Sequence, residues 1–202
     1  MSIIKLNNRA VKDATAVGSI TGLGNLKFIS RSTASSSSSV NITSGIDSTY
    51  KEYIFVINNM HPQTNDKHFT FQVNADGGSG FNETITSSVF RAYHLEDGSA
   101  SGLDHRTAND QAQGTAYQRL SEEVGNGSDE SVSGILHLFD PSSSFVKHFM
   151  ARIAYCHQSD IAFDFYMAGY ANTTSAVDAA QFKFSSGNID SGTIKLYGIK
   201  DS

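Results

Sequence analysis

The sequence has no tryptophan, two prolines and a single cysteine, Cys156. One cysteine cannot form an intramolecular disulfide, so packing and hydrogen bonds alone must hold the fold, which suits folding in a reducing cytoplasm. Long apolar runs are missing as well. The longest, Tyr53–Ile57, falls far short of the ~20 residues that cross a bilayer, so no membrane insertion is expected. Near the start, Lys5, Asn7, Asn8 and Arg9 interrupt the apolar stretch that a signal peptide needs. Positive charge is scarce: 15 Lys and Arg stand against 20 Asp and Glu, a net charge of −5. Nucleic acids and anionic membranes select a basic face, so neither is an expected partner.

What fills the chain is Ser, Thr, Asn and Gly, with 13 Phe and 8 Tyr and only 17% charged residues. Helical proteins lean on Glu, Lys, Ala and Leu, so this composition points to strands joined by polar turns. Alternation of period two recurs along the chain, as half-buried antiparallel strands require. In HFTFQVNA, Phe69, Phe71 and Val73 are expected inward, with His68, Thr70 and Gln72 outward. In IAFDFYM, Phe163, Phe165 and Met167 share a face opposite Asp164 and Tyr166, while Phe182 and Phe184 flank Lys183. NLKFIS, YKEYIFVI, SSVFRAYHL, VSGILHLFD, SFVKHFMARIAY and GTIKLYGIK read as further strands, and the serine run TASSSSSVNIT as one with a polar outer face.

The joints at residues 74–82, 96–104, 125–131 and 140–144 are Gly, Asp, Asn, Ser and Pro clusters, which are turn formers. About eight to ten strands so punctuated imply an all-β antiparallel sandwich or jelly roll. GTAYQRLSEEVG departs from the pattern. Thr115 and Gln118 have capping-box spacing, Tyr117, Leu120 and Val124 share a helical face, and Gly125 can end the turn, so a short helix or irregular excursion is expected.

The chain divides into an arm, residues 1–22, and a β-domain, residues 23–202. The arm has a basic bias and reads either as a first strand or as a segment that docks on another subunit. In the second reading Ile3, Ile4 and Leu6 are the apolar anchors, with Lys5, Arg9 and Lys12 as the charged ones.

Chemistry is hard to find. Cys156 and His157 are adjacent on a strand and point to opposite faces. His137 and His148 flank the FDPSSS turn and can approach across a hairpin, where they are either hydrogen-bonded strand residues or members of a metal ring around a symmetry axis. Glu122 and Glu123 diverge on a helix, and Asp160 and Asp164, if they share a strand face, lie ~13 Å apart, too far for a glycosidase pair. There is no G-X-S-X-G elbow, no metal-binding His-Glu-X-X-His and no dinucleotide fingerprint. A lectin would have to stack sugars on Tyr93, Tyr155 or Tyr170 in place of tryptophan. The reading is a structural or binding protein, not an enzyme, without cofactor or metal.

Four strings together, IIKLNNRAVKDATAVGSI, TASSSSSVNITSGIDSTYKEYIFVINNMHP, GILHLFDPSSS and SSGNIDSGTIKLYGIK, resemble small virion-associated proteins of marine tailed bacteriophages, especially those infecting cyanobacteria. The resemblance runs from the N-terminus to about Lys200 and is weakest between Asn74 and Asp129. It implies a structural role on the particle: a tail-fibre, tail-tip or adaptor-associated component with a host-attachment role, or alternatively a capsid decoration protein. A glycan-binding or glycan-degrading jelly roll is the more distant alternative. The partners implied are capsid, portal, adaptor or tail proteins and further copies of the chain, a trimer by fold analogy, with a host receptor or glycan beyond them.

Overall fold

A computed structural model describes residues 25–78 and 80–200. The arm, residues 1–22, and its anchors Ile3, Ile4, Lys5, Leu6, Arg9 and Lys12 lie outside them. The described residues form twelve strands: β1 (Leu26–Ser37), β2 (Val40–Ile42), β3 (Glu52–Pro62), β4 (Phe69–Ala75), β5 (Ile85–Leu95), β6 (Ser101–His105), β7 (Gln118–Arg119), β8 (Val132–Phe139), β9 (Lys147–His157), β10 (Ile161–Ala171), β11 (Val177–Phe184) and β12 (Ile189–Ile199). One sheet has eight strands in the order β1-β12-β3-β8-β9-β10-β5-β6, the other four in the order β2-β11-β4-β7, and every pairing is antiparallel.

Setting aside β5, β6, β9 and β10 leaves eight strands. In chain order they lie first-eighth-third-sixth in one sheet and second-seventh-fourth-fifth in the other. That is the jelly-roll arrangement. The two extra hairpins, β5–β6 and β9–β10, widen one of its sheets. The serine run turns out to be two strands, β1 and β2, that pass from one sheet to the other at Ser38–Ser39.

Aromatic rings close the space between the sheets. Phe182 of β11 lies 5.4 Å from Phe55 of β3, and Phe71 of β4 meets Phe149 of β9 edge-on at 5.0 Å. The closing strand β12 sits between β1 and β3 with Ile194 and Leu196 fully buried, so a one-residue slip would turn both out of the core. Gly198 allows the ring of Tyr50 to lie against this strand: a Cβ there would come within 2.2 Å of the ring.

Of the helix or irregular excursion expected at 115–125, the helix does not form, and the described residues contain no α-helix. The segment is instead an irregular excursion with a 3₁₀ turn before it (Thr107–Asn109) and the two-residue β7 within it. The excursion also overturns the expectation that Thr70 and Gln72 face solvent. Both are buried, and the Gln72 side-chain amide donates to the carbonyls of Glu83 (2.9 Å) and Ala116 (3.2 Å).

Lys147 is another inward polar residue. Its fully buried ammonium donates to the carbonyls of Ser143, Phe145 and Thr173 at 2.8, 2.5 and 3.2 Å, tying the β8–β9 loop to the β10–β11 loop. Burial holds its pKa below that of a free lysine, against the opposing pull of Asp140.

Phe182→Ala removes the ring shared by Phe55, Phe69 and Phe71 and is expected to cost about 3–5 kcal/mol in urea unfolding. Phe145→Ala, at an exposed loop position, should stay within about 0.5 kcal/mol of the parent.

Candidate interaction face

The two added hairpins carry β9, β10, β5 and β6 beyond β8 and give the long sheet two faces with different needs. On the inner face, Tyr155, Phe163 and Phe165 are buried, although the small sheet has only four strands. The excursion covers them, and Leu120 and Val124 are both fully buried. Val124 pairs its backbone with Lys67 on one side and His157 on the other.

What fixes the excursion is Glu122, also buried. Its carboxylate accepts from Arg91 at 2.5 Å, Arg106 at 2.8 Å and Asn109 at 2.6 Å. Asp104 completes the charge balance, 3.0 Å from Arg91 and 3.3 Å from Arg106, and the Arg91 guanidinium lies over the Phe163 ring at 4.4 Å. Burial works to raise the Glu122 pKa. The hydrogen bonds of Arg106 and Asn109 and the charges of both arginines outweigh it, so the carboxyl sits below its ordinary value. Two arginines neutralise two carboxylates here, which makes a clamp and leaves no free acid–base pair.

The outer face is apolar and open. Strand registers align its side chains into rows across the sheet. One row runs Val56, Ile135, Arg152, Tyr166, Phe90, His105. It is a ridge: Tyr166 and Phe90 stack at 4.8 Å and 1°, and Arg152 lies over the Tyr166 ring at 5.1 Å. Beside it, His137 and Met150 give way to the small Ala168 and Ser88, in a furrow of about 510 Å³. On the other side Ser133, Gly134 and Ala154 line a second furrow of about 450 Å³. Around the ridge the charged residues are Arg152 and Asp164, and past Val56 the same row continues to Lys195 and Arg31. Arg152 grips Asp164 through two nitrogens, at 3.0 and 2.7 Å, and His137 meets Glu52 at 2.5 Å. The Arg152 hydrogen bonds, with one from the Tyr166 hydroxyl, hold the Asp164 carboxyl below its ordinary pKa against partial burial.

No protein-family model, curated protein or solved structure matches the chain. The reading of the face therefore rests on its geometry.

The residues singled out from sequence fall as follows. Among the described residues no three His, Cys, Asp or Glu side chains come together as a metal site. His137 is engaged with Glu52, and His148 packs edge-on against Tyr170 at 6.0 Å. Cys156 and His157 do point to opposite faces, His157 inward to Glu123 at 2.8 Å. Glu122 and Glu123 part company at a backbone with φ 39° at Glu123, not on a helix. Asp160 is in the β9–β10 turn with φ 57°, so it shares no strand face with Asp164. Tyr155 is buried in the core and offers no stacking platform.

Phe90, Ile135 and Met150 were not singled out from sequence. Their only signal there is an apolar residue on the solvent phase of an alternating strand.

Glu122 folds with a lowered pKa, so its contribution is present above the unfolded value of ~4.3 and is lost as pH falls through the folded value. Thermal midpoints are expected to be level near neutrality and to fall below about pH 4. Glu122→Gln should lower the midpoint at pH 7 and make the acid decline shallower. Glu122→Ala, which strands two arginines, should cost about 3–5 kcal/mol.

Proposed function

We propose that this protein is a structural subunit of a bacteriophage particle, a jelly roll displayed on the virion, non-enzymatic and packed against neighbouring subunits. The observation that carries the reading is the outer face of the long sheet. It is a wide apolar surface whose ridge carries the charged pair Arg152–Asp164, built largely from hairpins that the jelly roll itself does not need. Contiguous apolar area of this kind marks protein contact surfaces. Ile54 and Val56 of β3 and Tyr166 of β10 lie in the rows of this face. The resemblance to virion-associated proteins of marine tailed phages gives the assembly its class, with a tail-fibre, tail-tip or adaptor position favoured.

The arm is the proposed anchor. Residues before Asn25 join the domain at β1, an edge strand whose Leu26 and Phe28 are exposed. Burying Ile3, Ile4 and Leu6 is worth roughly 1.5–3 kcal/mol each. Ordering some twenty residues costs about 1 kcal/mol or more per residue, so side chains alone do not hold the arm. Strand addition to a partner sheet supplies the missing hydrogen bonds, while Lys5, Arg9 and Lys12 face acidic groups.

Antibodies raised against the full chain are expected to decorate one site on intact phage particles in immunogold micrographs. Absence of the chain from digests of purified particles would refute the reading. Deleting residues 1–22 should leave the thermal transition unchanged and abolish loading onto particles. A truncated chain that loads normally removes the anchor role.

A further inference from the structure

We infer that the outer face of the long sheet is a self-association surface, occupied by the same face of a second copy in a two-fold contact. This deepens the assembly reading above by naming the partner of that face.

Shape is the first argument. A ridge of large side chains, Ile135–Arg152–Tyr166–Phe90, is flanked on each side by a furrow, of about 510 and 450 Å³. A surface that carries both a ridge and its adjacent hollows complements itself. Rotating a copy by half a turn about an axis that lies in the contact plane, parallel to the ridge and midway between ridge and furrow, lays each ridge in the other's furrow. Such an isologous contact uses one patch on both partners.

Charge is the second. The chain carries a net charge of −5, so two copies meeting through an average surface repel. The ridge escapes that cost because Arg152 is matched by Asp164 within it, and the cations Lys195 and Arg31 continue its row past Val56. A partner with a strong field of either sign would gain nothing from a neutral ridge. A copy of the same face sets an arginine within reach of the opposing aspartate without adding net charge.

Area is the third. Ile135, Met150, Phe90 and Leu103 are 43%, 50%, 44% and 71% exposed on the strands of this face. They leave on the order of 400 Å² of apolar side-chain surface open, at the level of the largest patches on monomers. With Val56, Tyr166, the Arg152 stem and the small residues of the furrows, the face approaches the ~800 Å² per partner of a standard interface. A peptide would cover one furrow and leave the ridge and the other furrow wet. A second sheet packed at ~10 Å covers all three.

The test is sedimentation equilibrium of the full chain across the micromolar range. The wild type is expected at twice the chain mass. Ile135→Asp and Met150→Asp change exposed positions, so they should keep the circular dichroism spectrum and thermal midpoint while weakening the dimer on the order of 100-fold. Two further variants address the second copy directly. Arg152→Glu makes the face acidic and Asp164→Arg makes it basic, so each alone should be monomeric. Mixed one to one, they should recover a dimer, which no folding defect would mimic.

A wild type that stays monomeric overturns the inference. So does a dimer that Ile135→Asp leaves intact, because the contact then lies elsewhere. A trimer abolished by Ile135→Asp overturns the two-fold geometry. If the wild type is monomeric yet Ile135→Asp fails to load onto particles, another particle protein occupies the face; the inference falls and the assembly reading stands. If the face dimerises but the chain is absent from particles, the assembly reading falls and the inference stands.

Discussion

A sheet of eight strands facing a sheet of four leaves half its inner face without a partner sheet, and the rest of this molecule is organised around that mismatch. Tyr155, Phe163 and Phe165 would be wet if nothing covered them. The chain covers them with an irregular excursion, and irregular backbone is costly to bury because its amides and carbonyls lack a ladder. Buried polar side chains provide the substitute partners. Gln72 serves Glu83 and Ala116, Gln118 donates to the Asn109 carbonyl, and the Ser121 hydroxyl accepts from the Phe69 amide. Glu122 then binds the excursion to the widened sheet through Arg91 and Arg106. Leaving such a buried carboxylate or its arginines unpaired is strongly destabilising, so the clamp and the cover form together.

The fold was legible in sequence where one face of a strand meets the core and the other meets water. The strands around Phe69, Phe163 and Phe182 were readable this way because alternation records a difference in solvent exposure. The same rule misread Thr70 and Gln72, since a residue covered by a distant segment keeps its polar identity when it finds partners there. Of the two forms expected at 115–125, the irregular excursion prevailed over the helix for a related reason. Thr115 and Gln118 have the spacing of a capping box, but the Gln118 side-chain amide oxygen accepts from the Ser87 hydroxyl instead. Leu120 enters the core, while Tyr117 reaches Gln181 on the small sheet and takes the Lys183 ammonium over its ring at 4.0 Å. Weak local preference gave way to tertiary contacts.

The candidate face was harder to see. Ile135, Met150 and Phe90 come from three strands separated by up to sixty residues, and only the register places them together. Each alone is an ordinary exposed hydrophobe, of which every protein surface has many. Asp164 and Tyr166 were correctly assigned away from the core, but their link to Arg152 depends on the β9–β10 pairing, which no local pattern encodes.

The two consequences of widening the sheet are physically coupled. Insertion of β9–β10 and β5–β6 into a jelly roll creates apolar area on both sides of the same four strands. On the inner side the chain itself supplies the cover, using buried ion pairs. On the outer side it leaves the ridge and furrows open, and the ion pair of Arg152 with Asp164 and the hydrogen bond of His137 with Glu52 lie partly in solvent. Exposed pairs contribute little to the stability of a lone subunit. Arg152 with Asp164 keeps the ridge locally neutral in an acidic chain. The inner clamp therefore carries the stability of the extension, and the outer pair adds little to it.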